Sequence, residues 1–236
     1  RQKRHYRFVL KRKLFLPDTL GRGEDDKFDR LTFMQAEDDT LTQGTVVIDD
    51  ADTMANLAAI SMTIAWAADV AQDVDGLTEQ EHMTYIAPAW QEEYTSDEWA
   101  DRILGYMPAC ADVDPEELQD MFVNALHENP TYGTHWFNVK TITVGTGKCK
   151  DLPELLMYGF SHVGLTMYDM DRTLLQTFPY SEIYRWGGSS SQFSLILGDT
   201  SAPGGNMEFV VCTGQAQDMA AVILDHIRAL MKANAK

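Results

Sequence analysis

Apolar positions in the last hundred residues fall into short runs broken by turn residues and then into one helical stripe. Trp136–Val139, Leu155–Phe160, Leu165–Tyr168, Leu174–Phe178, Phe193–Leu197 and Phe209–Val211 are the runs. Gly159, Gly164, the Gly187–Gly188 pair, Gly198 and the Ala202–Gly205 stretch punctuate them, which predicts strands joined by turns. After the last run, Ala216, Met219, Ala220, Ile223, Ile227, Leu230 and Met231 recur at helical steps, the apolar face of a 3.6-residue period. The order predicts a β-sandwich with one end plugged by its C-terminal helix. An open sheet edge of that kind offers unpaired N–H and C=O groups to an extended peptide.

Upstream the period changes. Tyr6, Phe8 and Leu10 alternate with Arg7, Val9 and Lys11, a single strand running out near Pro17. A lone strand is not stable, so its sheet is expected to lie N-terminal of Arg1. Leu20–Asp26 reads as a Gly- and acid-rich connector. The middle of the chain is predicted to be helical, with a first helix over Phe28–Leu41 and a second over Thr53–Ala68. In the second, Met54, Leu57, Ala58, Ile60, Ile64 and Ala65 leave little polar face, as in a helix buried on most sides of a bundle. Two later helices announce their starts. Thr95 and Glu98 form a capping-box pair; Asp114–Pro115–Glu116–Glu117 places an N-cap acid, a first-turn proline and two acids at the positive end of a helix dipole. Asn129–Pro130 ends the last of them. The fold class predicted is α+β: residues 1–17 a strand remnant, 18–133 an acidic helical bundle, 134–236 the sandwich with its helix.

Composition adds three things. A chain of 236 residues with 44% hydrophobic content suits two globular domains. No apolar run approaches the ~18 residues of a membrane span, and no apolar h-region follows Arg1, Lys3 and Arg4, so no signal peptide is expected. A start at Arg1 rather than methionine implies a piece of a longer polypeptide. Three cysteines, Cys110, Cys149 and Cys212, without a C-x-x-C pair point to a reducing cytoplasmic compartment and no zinc site.

The net charge of −17 is unevenly spread. Residues 1–16 carry seven basic groups and no acids, whereas residues 17–136 carry four basic groups against twenty-seven acids. Such a surface serves solubility and repels nucleic acid and anionic lipid.

Candidate chemistry is sparse. Gly145–Thr146–Gly147–Lys148 superficially resembles a phosphate loop, but Ile142 stands where the first glycine is needed and Cys149 replaces Ser or Thr, so a hairpin turn is expected. Asp73–Val74–Asp75–Gly76 lacks the first and last ligands of a calcium loop, Ala71 and His82 standing there. The six histidines have no metal spacing, and Ser189–Ser191 has no G-x-S-x-G context. Asp49, Asp50 and Asp52 read as helix-entry charges. No active site, metal or cofactor is expected.

Four stretches in order carry a family resemblance. Arg7–Leu16 (RFVLKRKLFL) is similar to the strand that leaves the first lobe of a FERM domain. Leu31–Leu41 (LTFMQAEDDTL) resembles the first helix of the second lobe. Pro130–Lys140 (PTYGTHWFNVK) looks like the handover to the third lobe, and Phe178–Leu197 (FPYSEIYRWGGSSSQFSLIL) matches that lobe's middle strands. The resemblance covers nearly the whole chain. It is greatest to the FERM domain of unconventional myosin tails, with the same unit in a plant-type kinesin and with talin-like features at Arg185–Trp186.

The resemblance implies an acyl-CoA-binding-protein-like bundle followed by a PH/PTB-like lobe whose groove lies between the fifth strand and the C-terminal helix. The groove candidates are then Ile183, Tyr184, Arg185, Trp186, Gly187 and Gly188 on the edge, with Ile223 and Ile227 on the helix. Alternation would put Tyr184 and Trp186 on one face, and the two glycines would let a partner backbone approach. Trp186 packed under the helix with Arg185 solvated is the competing expectation.

Implied partners are cargo or receptor-tail peptides, the protein's own motor domain in an autoinhibited fold-back, and microtubules or actin indirectly, at the cytoskeleton. A talin-like linker from receptor to actin, and the regulatory FERM portion of a phosphatase or kinase, remain alternatives. Membrane lipid is disfavoured. Talin-like attachment uses a basic second lobe, while here that lobe is the acidic segment, and the concentrated basic surface is Arg1–Lys13, with Lys148 and Lys150 on a sandwich loop.

Overall fold

The computed structural model describes residues 11–15, 25–68, 81–143, 152–198 and 206–233. The expected strand over residues 6–10, the Asp73–Gly76 and Gly145–Lys148 stretches, and the basic pair Lys148 and Lys150 lie outside the described residues. The chain divides into two compact units, a helical one containing residues 25–44 and 48–128 and a sheet one containing residues 45–47 and 129 onward.

In the helical unit, each helix starts where a side chain takes up backbone N–H groups left free at a helix end. Helix α1 (Asp26–Glu37) is capped by Asp25, which accepts from the Lys27 N–H, and runs on into a π-helical turn at Asp38–Thr42. Helix α2 (Ala51–Ala68) begins behind Asp50, whose carboxylate accepts from the Thr53 N–H and hydroxyl at 2.7 Å each. Those bonds, the backbone one first, hold the Asp50 carboxyl below its usual range, so this helix-entry acid is a working cap. The capping box at Thr95–Glu98 starts α3 (Ser96–Cys110), and Asp114 starts α4 (Pro115–His127). Along α2, Met54, Leu57, Ala58 and Met62 are fully buried, as its thin polar face requires.

Seven antiparallel strands form one continuous sheet in the other unit: β1 (His135–Thr143), β2 (Leu155–Phe160), β3 (Gly164–Tyr168), β4 (Leu174–Pro179), β5 (Ile183–Gly188), β6 (Gln192–Gly198) and β7 (Asn206–Cys212). Their spatial order is β4-β3-β2-β1-β7-β6-β5. The two edges, β4 and β5, are consecutive in sequence and joined by the three-residue turn Tyr180–Glu182. Laid flat, seven strands would part the edges by about 29 Å, whereas the link from Pro179 to Ile183 reaches at most about 15 Å. The sheet is therefore rolled back on itself, and the predicted sandwich is one sheet. Helix α5 (Ala216–Ala233) lies across it, with Met219, Val222 and Ile223 in a core shared with Phe160, Phe193, Leu195 and Phe209.

The PTYGTHW stretch quoted for the resemblance has a structural job. Thr131 Oγ1 accepts from the Val47 N–H at 2.8 Å, Asn129 Nδ2 donates to the Val47 carbonyl at 2.7 Å, and Trp136 Nε1 donates to the Thr45 carbonyl at 2.9 Å. These bonds staple residues 45–47 to the sheet unit. Gly133, at φ +71°, makes room for Phe15, whose atoms would come within 2.5 Å of any added Cβ.

Candidate functional site

The edge strand β5 and the helix α5 contain every groove candidate. Among the described residues, strand β5 pairs with β6 alone, so the backbone groups on its other side have no ladder partner there. Ile183 opposes Leu197 and Arg185 opposes Ile196, which leaves Tyr184 as the extra residue of a β-bulge. From there the pairing is regular, Trp186 facing Leu195 and Gly188 facing Phe193. Opposed residues project to the same face of a sheet. Leu195, Leu197 and Phe193 are core residues, so Ile183, Trp186 and Gly188 share the core face, while Arg185 and Gly187 share the outer one.

The bulge corrects one expectation. Tyr184 and Trp186 do not share a face, because the inserted residue breaks the period of two. Tyr184 is 64% exposed, and Arg185 is exposed beside it. Trp186 is half-buried and packed against the core cluster. Tyr184, Arg185 and Trp186 hold no side-chain hydrogen bond among the described residues. On α5, Ile223 is fully buried and Ile227 is partly buried against the same core.

A second correction concerns the glycines. A Cβ on Gly188 would meet the Ala216 carbonyl oxygen at 2.5 Å and its carbon at 2.8 Å. The approach that Gly188 permits is therefore that of the protein's own helix, at the first turn of α5, and not that of a partner. Gly187 has only Ser194 Oγ nearby, at 3.9 Å, and stays open. Nothing in the sequence signals the bulge or the Gly188–Ala216 contact, since both arise from how β5 meets its neighbours.

Beneath α5 lies a ring stack that the sequence did not single out. His226, fully buried, stacks on Tyr180 at 5.6 Å and meets the edge of His135 at 6.1 Å. Tyr180 donates to the Ser161 carbonyl at 2.8 Å, and burial raises its phenol well above the ordinary range. This stack ties α5 to the turn that leads into β5. Among the described residues, no group of His, Cys, Asp and Glu side chains is placed to hold a metal ion, and no helix is long and apolar enough to cross a membrane.

In the helical unit, the Glu37 carboxyl at the π-helical turn is half-buried and accepts a hydrogen bond from the Ser61 hydroxyl. Burial raises its pKa, the Ser61 bond opposes this, and the charge of Asp38 adds to the rise. The folded unit therefore holds this proton more tightly than the unfolded chain does. Its contribution favours folding below the ordinary glutamate range and is lost as the pH rises through the elevated value. A Glu37→Gln chain should accordingly melt above wild type at pH 7.5, with the gap closing near pH 4. Thermal scans at the two pH values check the sign; a variant that melts lower at pH 7.5 contradicts it.

Residues 21–137 match the FERM central domain model, and residues 137–231 match the PTB domain of IRS-1 type. The chain thus carries a FERM central domain followed by a PTB-type domain. The FERM fold recurs in similar solved structures. The C-terminal MyTH4-FERM domain of human myosin 7b, solved in complex with the harmonin-a PDZ3 domain, is 18% identical over 93% of this chain and 42% of that one, with a TM-score of 0.69. The MyTH4-FERM MF2 domain of Dictyostelium discoideum myosin VII is 16% identical over 84% and 38%, at 0.66. The FERM and C-terminal domain complex of Drosophila Merlin is 16% identical over 89% and 67%, at 0.62. This FERM chain thus spans about two fifths of the myosin-tail chains it matches.

Proposed function

We propose that this FERM chain is a non-catalytic protein-interaction module, the cargo-binding part of an unconventional myosin tail acting at the cytoskeleton. It captures an extended partner peptide on β5. The observation that carries the reading is the outer side of β5, which has no ladder partner among the described residues, next to a half-buried Trp186 that makes no side-chain hydrogen bond to them. A peptide adding as an eighth strand takes main-chain hydrogen bonds from β5, and adjacent side-chain pockets set its sequence. Trp186 and Ile227 offer apolar contact from the core side, and Arg185 offers a bidentate donor to an acidic residue of the peptide. Tryptophan and arginine are the residue types that dominate binding energy at interfaces. The solved relatives with a bound PDZ domain and a bound C-terminal domain are consistent with a protein-binding role, and the acidic middle segment makes a talin-like attachment to anionic membrane the weaker alternative.

The test begins with peptides selected by display on the wild-type chain and titrated against variants. Trp186→Ala should weaken binding by about thirtyfold, the effect of losing a hot-spot side chain, and bound peptide should slow amide exchange along β5. A folded Trp186→Ala chain with unchanged affinity, or exchange protection confined to β4, removes the assignment.

A further inference from the structure

The helical unit carries a second surface, on a different face of α1. A cleft of about 620 Å³ opens between the start of α1, the end of α2 and the start of α4. A second one of about 490 Å³ continues along α1 to the π-helical turn. Phe33 and Ile64 line both, so they form the common floor of one groove. The groove follows α1 from Asp26 to Asp38, about 18 Å at the helical rise. Met34 stands at its side 50% exposed, where burial against a partner would be favourable. Carboxylates predominate on its rim: Asp26 and Asp29 from α1 and Glu116 and Asp120 from α4 stand with Lys27 and Arg30 at one end, and Glu37 and Asp38 stand at the other. Acids at the starts of two helices offset the helix dipoles. That role does not account for Glu37 and Asp38, which lie at the far end of α1.

The chain shows on a neighbouring face of the same helix what this chemistry accepts. Lys11 Nζ lies 2.6 Å from both Asp38 and Asp39. The Arg12 backbone N–H donates to Gln35 at 2.6 Å and its carbonyl accepts from Gln35 at 3.1 Å, while its guanidinium sits 5.3 Å from the centre of the Phe28 ring. Basic residues thus dock on α1 through carboxylates and an apolar ring together.

We propose that the α1 groove is a docking site for a basic amphipathic helix of a partner protein. Apolar side chains at i, i+3 or i+4, and i+7 lie on the Phe33–Ile64 floor, with lysine or arginine on both flanks meeting the carboxylate rims. The site belongs to the helical unit, whereas the β5 edge belongs to the sheet unit.

The experiment titrates the 236-residue chain with a fluorescein-labelled 18-residue Leu/Lys amphipathic helix and with a scrambled peptide of the same composition. The amphipathic peptide should bind about tenfold more tightly than the scrambled one. Met34→Ser and Glu116→Lys should each remove most of that preference, whereas Glu208→Lys on β7, an equal change in net charge, and Trp186→Ala should leave it intact. Glu116→Gln serves if circular dichroism shows that either groove variant has lost structure. Equal binding of the two peptides, or equal weakening by Glu208→Lys, reduces the effect to net charge and overturns the proposal. Weakening by Trp186→Ala moves the peptide to β5 and overturns it too. So does sedimentation showing a dimer of the free chain that Met34→Ser dissociates, since the groove is then a self-interface.

Discussion

Replacing Gly188 by valine is expected to destabilise the sheet unit by about 2–3 kcal/mol, although the position is exposed and surface substitutions usually stay within about 0.5 kcal/mol. The cause is the close approach of α5. An added Cβ would stand 2.5 Å from the Ala216 carbonyl oxygen and 3.1 Å from its Cβ, and a backbone atom cannot swing aside as a side-chain tip does. The first turn of α5 must lift, and it carries Ala216 and Met219, both buried in the core. A groove walled by β5 and α5 would change width in the same movement, so peptide affinity should fall together with the melting temperature. Gly187→Ala is the control, because its nearest neighbour is Ser194 Oγ at 3.9 Å; it should melt within a degree or two of wild type. A Gly188→Val chain as stable as Gly187→Ala would show that α5 does not press on β5 in solution.

The second large effect belongs to the helical unit. Trp99 is fully buried. It meets the rings of Tyr94 at 5.3 Å and Trp90 at 6.3 Å edge-on, and its indole N–H donates to the Trp90 carbonyl at 3.2 Å. Trp90 in turn donates to the Ile48 carbonyl, so the pair anchors both the chain entering α2 and the segment before α3. Trp99→Ala should cost about 3–5 kcal/mol, a large share of the 5–15 kcal/mol that holds an ordinary domain together. The helical unit should then melt more than about 10 °C early. Trp99→Phe keeps most of the ring and forfeits mainly one hydrogen bond, about 1 kcal/mol. Because the chain has two units, the two transitions must be resolved separately for these values to be read. A single midpoint shared by wild type and Trp99→Ala would contradict the packing described.

Local chemistry accounts for what is legible in the sequence. The Thr95–Glu98 box and the Asp114–Pro115 start are short-range bonds between neighbours in sequence, and both helices begin where those residues place them. Strand β6 alternates buried and open positions along Phe193, Leu195 and Leu197, the period of two that its sequence shows. Of the apolar stripe expected on α5, Ala216, Met219 and Ile223 are buried and Ala220 and Ile227 pack against the core, whereas Met231 at its end is exposed. Two expectations at the groove failed for a common reason. The Tyr184 bulge depends on how β5 pairs with β6, and the role of Gly188 depends on a helix that starts twenty-eight residues later. Neither partner is visible in the six residues of the strand.

The sequence by itself thus predicted the five α-helices and six of the seven strands, because hydrophobic period and capping are properties of neighbouring residues, while β5 and the family entered through the resemblance of longer stretches. Only the tertiary structure decided that the seven strands make one rolled sheet with β5 at its edge, that Trp186 faces inward while Tyr184 faces out, and that α1 is lined by an acid-rimmed groove. Each of these follows from pairings between residues far apart in the chain, and such pairings are set by the packing of whole elements against one another.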